Sequence, residues 1–320
     1  MKKTPFLLKP SLKEYLWGGT ELKTKYGFQS DADKIAEAWV LSCHADGENR
    51  VSNGEYAGKT LSEVLRILGK DAIGKKAAEF PYFPLLIKLI DAKDKLSIQV
   101  HPDDAYARKH EGGFGKTEMW YVVDCKPGAE LIYGLNRSVS KEEFEERIRR
   151  NTLLEICHFV PVHKGDVFFI EAGTLHAIGA GILIAEVQQN SNTTYRVSDY
   201  GRLGADGKLR SLHIEKAVCV TRLEPPGLPY GQIGQHTQYS FGTIRHLAGC
   251  GLFTAELLSL NGEGDFCEQD TFFSLVVLAG EGACRWTGGS LSFKKGDSLF
   301  VPAGLSVTLS GSAEILYSKV

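Results

Sequence analysis

Residues 164–173 read KGDVFFIEAG, and residues 295–304 read KGDSLFVPAG. In register, Lys, Gly, Asp, Phe, Ala and Gly recur. A second match pairs VVDCKPGA at 122–129 with VVLAGEGA at 276–283. Each segment has the pattern of a strand, a turn and a further strand. Two matching corners in the same order predict two related β-barrels in one chain.

The surrounding sequence agrees. Short β-type runs dominate, among them AEAWVLSCH, KLSIQVH, MWYVVDC, GILIAEVQQ and FFSLVVLAG, most bounded by Gly, Pro or Asp. The fold class is therefore mainly β. Helices are fewer. Thr60 with Glu63 and Ser140 with Glu143 have capping-box spacing, predicting helical insertions over about 60–80 and 140–155. The richest Pro/Gly stretch, RLEPPGLPYGQ at 222–232, reads as a linker. It divides the chain into 1–234 and 235–320.

Composition narrows the function classes. The 320 residues are 43% apolar and 24% charged, as in an ordinary globular protein, with a formal net charge of −2. No broad attraction to nucleic acid or anionic membrane follows from that charge. The start, MKKTPFLLKPSLKEYLWGG, has too short an apolar stretch for a signal peptide, so a cytoplasmic location is expected. The seven scattered cysteines include no CxxC pair and read as reduced thiols.

The two copies differ where chemistry is expected. Extending the first match places His176 opposite Val307, and extending the second places Glu118 opposite Phe272. A residue needed only for the barrel has no reason to differ so systematically between copies. Gln99 and His101, in SIQVHPDD, are two apart and share a strand face. Together Gln99, His101, Glu118 and His176 offer an amide oxygen, two imidazoles and a carboxylate. That set suits Zn²⁺ and would also accept Fe²⁺, Mn²⁺ or Co²⁺.

Three basic residues accompany them. Lys88 interrupts the apolar run FPLLIKLID, where its charge needs a partner or ligand unless its stem carries it to solvent. Lys116 lies two before Glu118. Arg196, in NSNTTYRVSDYGR, either reaches an anionic substrate or pairs with Asp199.

The chain resembles the type I phosphomannose isomerases in their short bacterial form. The resemblance rests on YLWGG (15–19), AEAWVLS (36–42), FPLLIKLIDAKDKLSIQVHPDD (83–104), GKTEMWYVV (115–123) and AGTLHAIGAGILIAEVQQNSNTTYRVSDYGR (172–202). It implies a catalytic cupin (jelly-roll) barrel with helical insertions, followed by a cupin-like β-domain without metal ligands. It implies one zinc per chain on Gln99, His101, Glu118 and His176. Lys88, Lys116 and Arg196 match the family's catalytic and substrate-binding basic residues. The implied reaction interconverts mannose 6-phosphate and fructose 6-phosphate, with a small phosphorylated sugar as substrate and neither nucleic acid nor membrane as partner; monomer and homodimer both stay open. Long-form relatives carry a His before the lysine matched by Lys116, where this chain has Gly115, and an acidic residue where it has Asn192. The identity of the proton-transferring base does not follow from the resemblance.

Two other classes compete. A metal-dependent cupin oxygenase would consume O₂ and usually uses more histidines. A non-catalytic sugar-binding barrel would bind without turnover. Fold alone separates none of these.

Overall fold

The computed structural model describes residues 3–204 and 207–320. The chain is mainly β, as expected, with three antiparallel sheets. A six-stranded sheet contains Ser11–Lys13, Glu37–Leu41, Leu85–Ala92, Ile182–Gln189, Glu118–Cys125 and Val167–Ile170, neighbours in that order. A five-stranded sheet contains Tyr195–Ser198, Ile98–Val100, His176–Ala177, Glu130–Leu135 and Cys157–Pro161. Together these two sheets form the first barrel. The remaining nine strands form one sheet made chiefly of residues 236–319.

The strands Leu85–Ala92 and Ile182–Gln189 are buried along their whole length. Their near-continuous apolar sequences, LLIKLIDA and ILIAEVQQ, are what a strand covered on both faces requires. One face contributes Ile90, Ile182 and Ile184 to an apolar cluster with Trp120, Phe168 and Tyr133. The other contributes Leu85, Ile87 and Leu89 to a cluster that also holds Phe272, Phe300 and Leu316 of the second unit. The two units share that core.

The strand Phe6–Lys9 is where the topology departs from a simple division at residue 235. It pairs with Ser298–Val301 on one side and Arg50–Val51 on the other, so both N-terminal strands belong to the sheet of the second unit. The cause is packing. Phe6 and Leu8 are buried, and Phe6 stacks on Phe300 with ring centroids 6.1 Å apart. The Pro/Gly-rich stretch 222–232 lies along the first barrel, where Gly231 bridges to Val167. Arg245, buried in the second unit, donates from Nη1 to the Gly165 carbonyl (3.0 Å) and from Nε to the Ile233 carbonyl (2.8 Å).

The predicted helical stretch at 60–80 is a helix Leu61–Leu68 followed by two short pieces, Lys70–Ala72 and Gly74–Ala78. Its capping box is complete at Thr60 and Glu63. Over 140–155 the structure has a helix Lys141–Arg149 and a turn Leu153–Ile156. Only half of that second capping box is made. Ser140 accepts from the Glu143 N–H, but the Glu143 carboxylate turns to Arg137 and Arg147. Short helices Asp104–His110 and Ile214–Val220 were not anticipated. Asp103 starts the first of them by accepting from the Tyr106 N–H.

The long strands of the second unit, Thr254–Phe266, Phe273–Trp286 and Val307–Lys319, share a row in which Gly262, Gly311 and Gly282 are direct neighbours. Gly311 has φ +140°, and a Cβ there would lie 2.5 Å from the Glu281 carbonyl oxygen. Gly311→Ala is expected to cost about 1–3 kcal/mol through backbone strain. Thermal unfolding would measure this, and an unshifted midpoint would show that the row tolerates a side chain.

Candidate active site

The site lies between the two sheets of the first barrel, and each sheet supplies a different chemistry. In the five-stranded sheet, Arg196, Gln99 and His176 are cross-strand neighbours in one row. His101 follows two residues after Gln99. In the six-stranded sheet, Trp39, Lys88, Glu186 and Trp120 form a row in the same way, and Glu118 precedes Trp120 by two. Directly opposed residues point to one face of a sheet. The barrel interior thus passes from the apolar cluster around Phe168 to a layer of imidazoles, carboxylates and cations.

His101, Glu118 and His176 are fully or almost fully buried, and one ligand atom of each lies within 4.8 Å of the others. His101 Nδ1 is 2.8 Å from the Thr193 carbonyl, and His176 Nδ1 is 2.8 Å from the Thr174 carbonyl. A carbonyl only accepts, so both Nδ1 atoms carry the proton and both Nε2 atoms present a lone pair. Those two lone pairs face one another across 3.1 Å. Burial and the nearby Lys116 charge pull the His176 pKa down to about 3 and that of His101 well below its usual value. Neither ring therefore relieves the conflict by taking up a proton.

Glu118 completes the donor set. Its Oε1 lies 3.5 Å from His176 Nε2 and accepts no hydrogen bond among the described residues, while Oε2 lies 3.7 Å from His101 Nε2. Burial first, and the charge of Glu186 second, push its pKa up. Two unprotonated imidazoles and an orphaned carboxylate oxygen converging on one point fit a divalent cation. A positive group already stands against them: the Lys116 ammonium is 2.6 Å from Glu118 Oε2 and 3.1 Å from His101 Nε2. Gln99 is half-buried beside His176 and lines the adjoining cavity.

That cavity has a volume of about 310 Å³, and its wall includes Lys88, Lys116, Arg196 and Arg210. Lys88 does not reach solvent. It is 4% exposed, with Nζ 3.1 Å from Glu186 Oε1, 3.8 Å from Glu37 Oε2 and 5.3 Å from the Trp39 ring centre. Burial opposes its charge, but Glu186 and Glu37 outweigh burial and raise its pKa. Burial likewise opposes ionisation of Glu186, and Lys116 and Lys88 outweigh it, so its pKa falls. Each carboxylate is fixed by an indole: Trp120 Nε1 donates to Glu186 Oε2 at 2.9 Å, and Trp39 Nε1 donates to Glu37 Oε2 at 2.7 Å.

Arg196 is not held by Asp199. Arg202 and Arg210 take that carboxylate, at 2.5 and 2.6 Å. Arg196 Nη1 donates to the Ser211 carbonyl at 2.9 Å, and its buried Nε has no acceptor among the described residues. Glu186, Glu37 and Arg210 were missed from sequence. A signal existed for Glu186, which is the single acidic residue in ILIAEVQQ just as Lys88 is the single basic residue in LLIKLIDA. Gly115 has no room for a histidine, since a Cβ there would lie 2.5 Å from the Asp103 and Asp104 backbone. Asn192 lines the cavity and donates to Asp46 Oδ2 at 2.8 Å. In the second unit, Val307 and Phe272 are buried apolar residues.

Residues 6–128 match the family model of the phosphomannose isomerase type I catalytic domain, and residues 243–320 match that of the mannose-6-phosphate isomerase cupin domain. The chain is 41% identical to "Mannose-6-phosphate isomerase ManA" of Bacillus subtilis, with 100% of both chains covered. It is 36% identical to the mannose-6-phosphate isomerase of Streptococcus mutans, with 98% of both covered. The crystal structure of the Bacillus subtilis mannose 6-phosphate isomerase superposes with a TM-score of 0.92 at 35% identity, covering 99% of this chain and 100% of that one. By sequence along its whole length and by fold, the chain belongs to the type I phosphomannose isomerases.

Proposed function

We propose that this chain interconverts D-mannose 6-phosphate and D-fructose 6-phosphate at the cavity between its first two sheets, with zinc held by Gln99, His101, Glu118 and His176. The observation that carries the proposal is the convergence of two unprotonated Nε2 atoms and a buried carboxylate beside a cavity walled by four cationic side chains. Neutral imidazole and carboxylate donors without thiolate suit zinc in a catalytic rather than a structural role. The cations suit a phosphorylated sugar. Residues 1–234 then carry the chemistry and 235–320 flank it. Seven free thiols suit a cytoplasmic enzyme.

The reaction moves a proton between C2 and C1 through a cis-enediol, and its difficulty is the negative charge that builds on O1 and O2. A divalent metal supplies Lewis-acid stabilisation of that charge when bound. The protein supplies the rest. Arg196 brings a buried N–H donor that no protein acceptor has taken, which is the property an oxyanion partner needs. Lys116 brings a buried ammonium. For the phosphate end the wall offers Lys88 and Arg210, although Lys88 is shared with Glu186 and Glu37 and Arg210 with Asp199. Glu186 and Glu37 also line the cavity, and Glu186, kept ionised by Lys116 and Lys88, holds the ammonium groups in place. Walls of Trp17, Ile90 and Leu96 limit water around these groups.

The test is a coupled assay for fructose 6-phosphate formed from mannose 6-phosphate by the zinc-loaded chain. Turnover is expected without O₂ uptake; binding without turnover, or substrate-dependent O₂ consumption, would remove the proposal. Lys116→Met is expected to lower kcat by about 10²–10³. An unchanged kcat across several pH values would take Lys116 out of the chemistry.

A further inference from the structure

The second unit has a cavity of its own. Its long strands turn over at the glycine row, so Phe266 comes to face Tyr317, with ring centroids 6.3 Å apart. Between them and the strand His236–Tyr239 lies a space of about 290 Å³, close in size to the catalytic cavity. Tyr239, Phe266 and Tyr317 bring aromatic rings to its wall. His246, Glu256 and Tyr317 are cross-strand neighbours in one row, so all three look into it. Glu268 and Lys319 complete the polar part.

The polar groups fall into two kinds. Glu268 is spent: Lys319 Nζ is 2.5 Å from its Oε1, and the Tyr317 hydroxyl donates to the same oxygen at 2.9 Å. Glu256 is not. Its side chain is only 23% exposed, it accepts no hydrogen bond among the described residues, and His246 Nδ1 lies 4.0 Å from its Oε1. Gln235, Thr237 and His246 also line the space.

We propose that this cavity binds a neutral, unphosphorylated hexose, at a site separate from the catalytic one. The reasoning is by complementarity. A pyranose has an apolar C–H face that packs on an aromatic ring and hydroxyls that both donate and accept. The cavity offers the exposed Tyr239 ring, stacked on Phe241, a carboxylate as acceptor, and amide, hydroxyl and imidazole groups as donors. A sugar phosphate is disfavoured, because two carboxylates here face a single lysine, itself paired with Glu268, whereas four cations face two carboxylates in the catalytic cavity. A simple organic cation would suit Glu256 and the rings but would leave the donors unanswered.

The experiment uses the full zinc-loaded chain and D-mannose as probe, by saturation-transfer NMR. Fructose 6-phosphate is present at saturation, so that the catalytic cavity is filled. Transfer to D-mannose is expected to persist with a dissociation constant of about 1 mM, the range open to a ligand this small. Glu256→Gln and Tyr239→Ala are each expected to weaken it about tenfold or more, leaving isomerase turnover and the thermal midpoint unchanged. Loss of transfer on adding the sugar phosphate would place the mannose in the catalytic cavity and overturn the proposal. Unchanged affinity in both variants, no transfer at all, or displacement by tetramethylammonium would overturn it equally. Isomerase turnover is read separately in the same samples, so this failure is distinct from failure of the catalytic assignment.

Discussion

His176→Ala is expected to leave a chain that folds but keeps less than about a tenth of its metal and loses turnover by about 10³ or more. The size follows from losing several kcal/mol of transition-state stabilisation at once. His176 Nε2 is one of two unprotonated nitrogens that meet at 3.1 Å, and its tautomer is set by the Thr174 carbonyl. Alanine removes the donor but no backbone hydrogen bond, so folding should survive. Metal content by atomic emission and kcat from the coupled assay are the two readouts. Chelation of the unmodified chain should reproduce the loss, and zinc should reverse it. A His176→Ala chain with a full complement of tightly held metal and normal turnover would refute the ligand set.

Lys88→Met is expected to destabilise the chain by about 3–5 kcal/mol, because it strands a buried carboxylate. Lys88 is the cation between Glu186 and Glu37, and both acids are out of water. The indoles of Trp120 and Trp39 each donate one hydrogen bond, which does not neutralise a charge. The double variant Lys88→Met/Glu186→Leu should regain most of the stability, since an apolar pair can replace a buried ion pair at little cost. It should not regain turnover, because the pair also lines the cavity. Denaturant unfolding and the coupled assay separate these roles. A double variant with restored activity would reduce Lys88 and Glu186 to structural parts.

Much of the architecture is legible in sequence because it is written twice. The KGD corners have local signals, with Asp166 accepting from the His163 N–H and Asp297 from the Lys294 N–H. The contrast of His176 with Val307 and Glu118 with Phe272 needs only a comparison within the chain. Gln99 and His101 are legible from strand periodicity. Other features depend on partners distant in sequence. FLLK at 6–9 carries no mark of its pairing with Ser298–Val301. Arg196 and Asp199 are three apart and invite an ion pair, yet Arg202 and Arg210 reach the carboxylate instead. That competition is decided by where Arg202 and Arg210 come to lie, and spacing does not encode it. The role of Glu186 emerges only when two apolar strands are laid side by side and their two charges meet.

The pairing of Phe6–Lys9 with Ser298–Val301 also bears on how the chain is made. Phe6–Lys9 finds its neighbour far later in the chain, so the shared core closes only once Ser298–Val301 has been made. Until that strand is available, Phe6, Leu8 and one face of Leu85, Ile87 and Leu89 lack part of their cover, the kind of apolar surface that chaperones engage. Deleting Phe6–Lys9 should therefore impair the yield of folded chain well before it alters the chemistry of the first barrel.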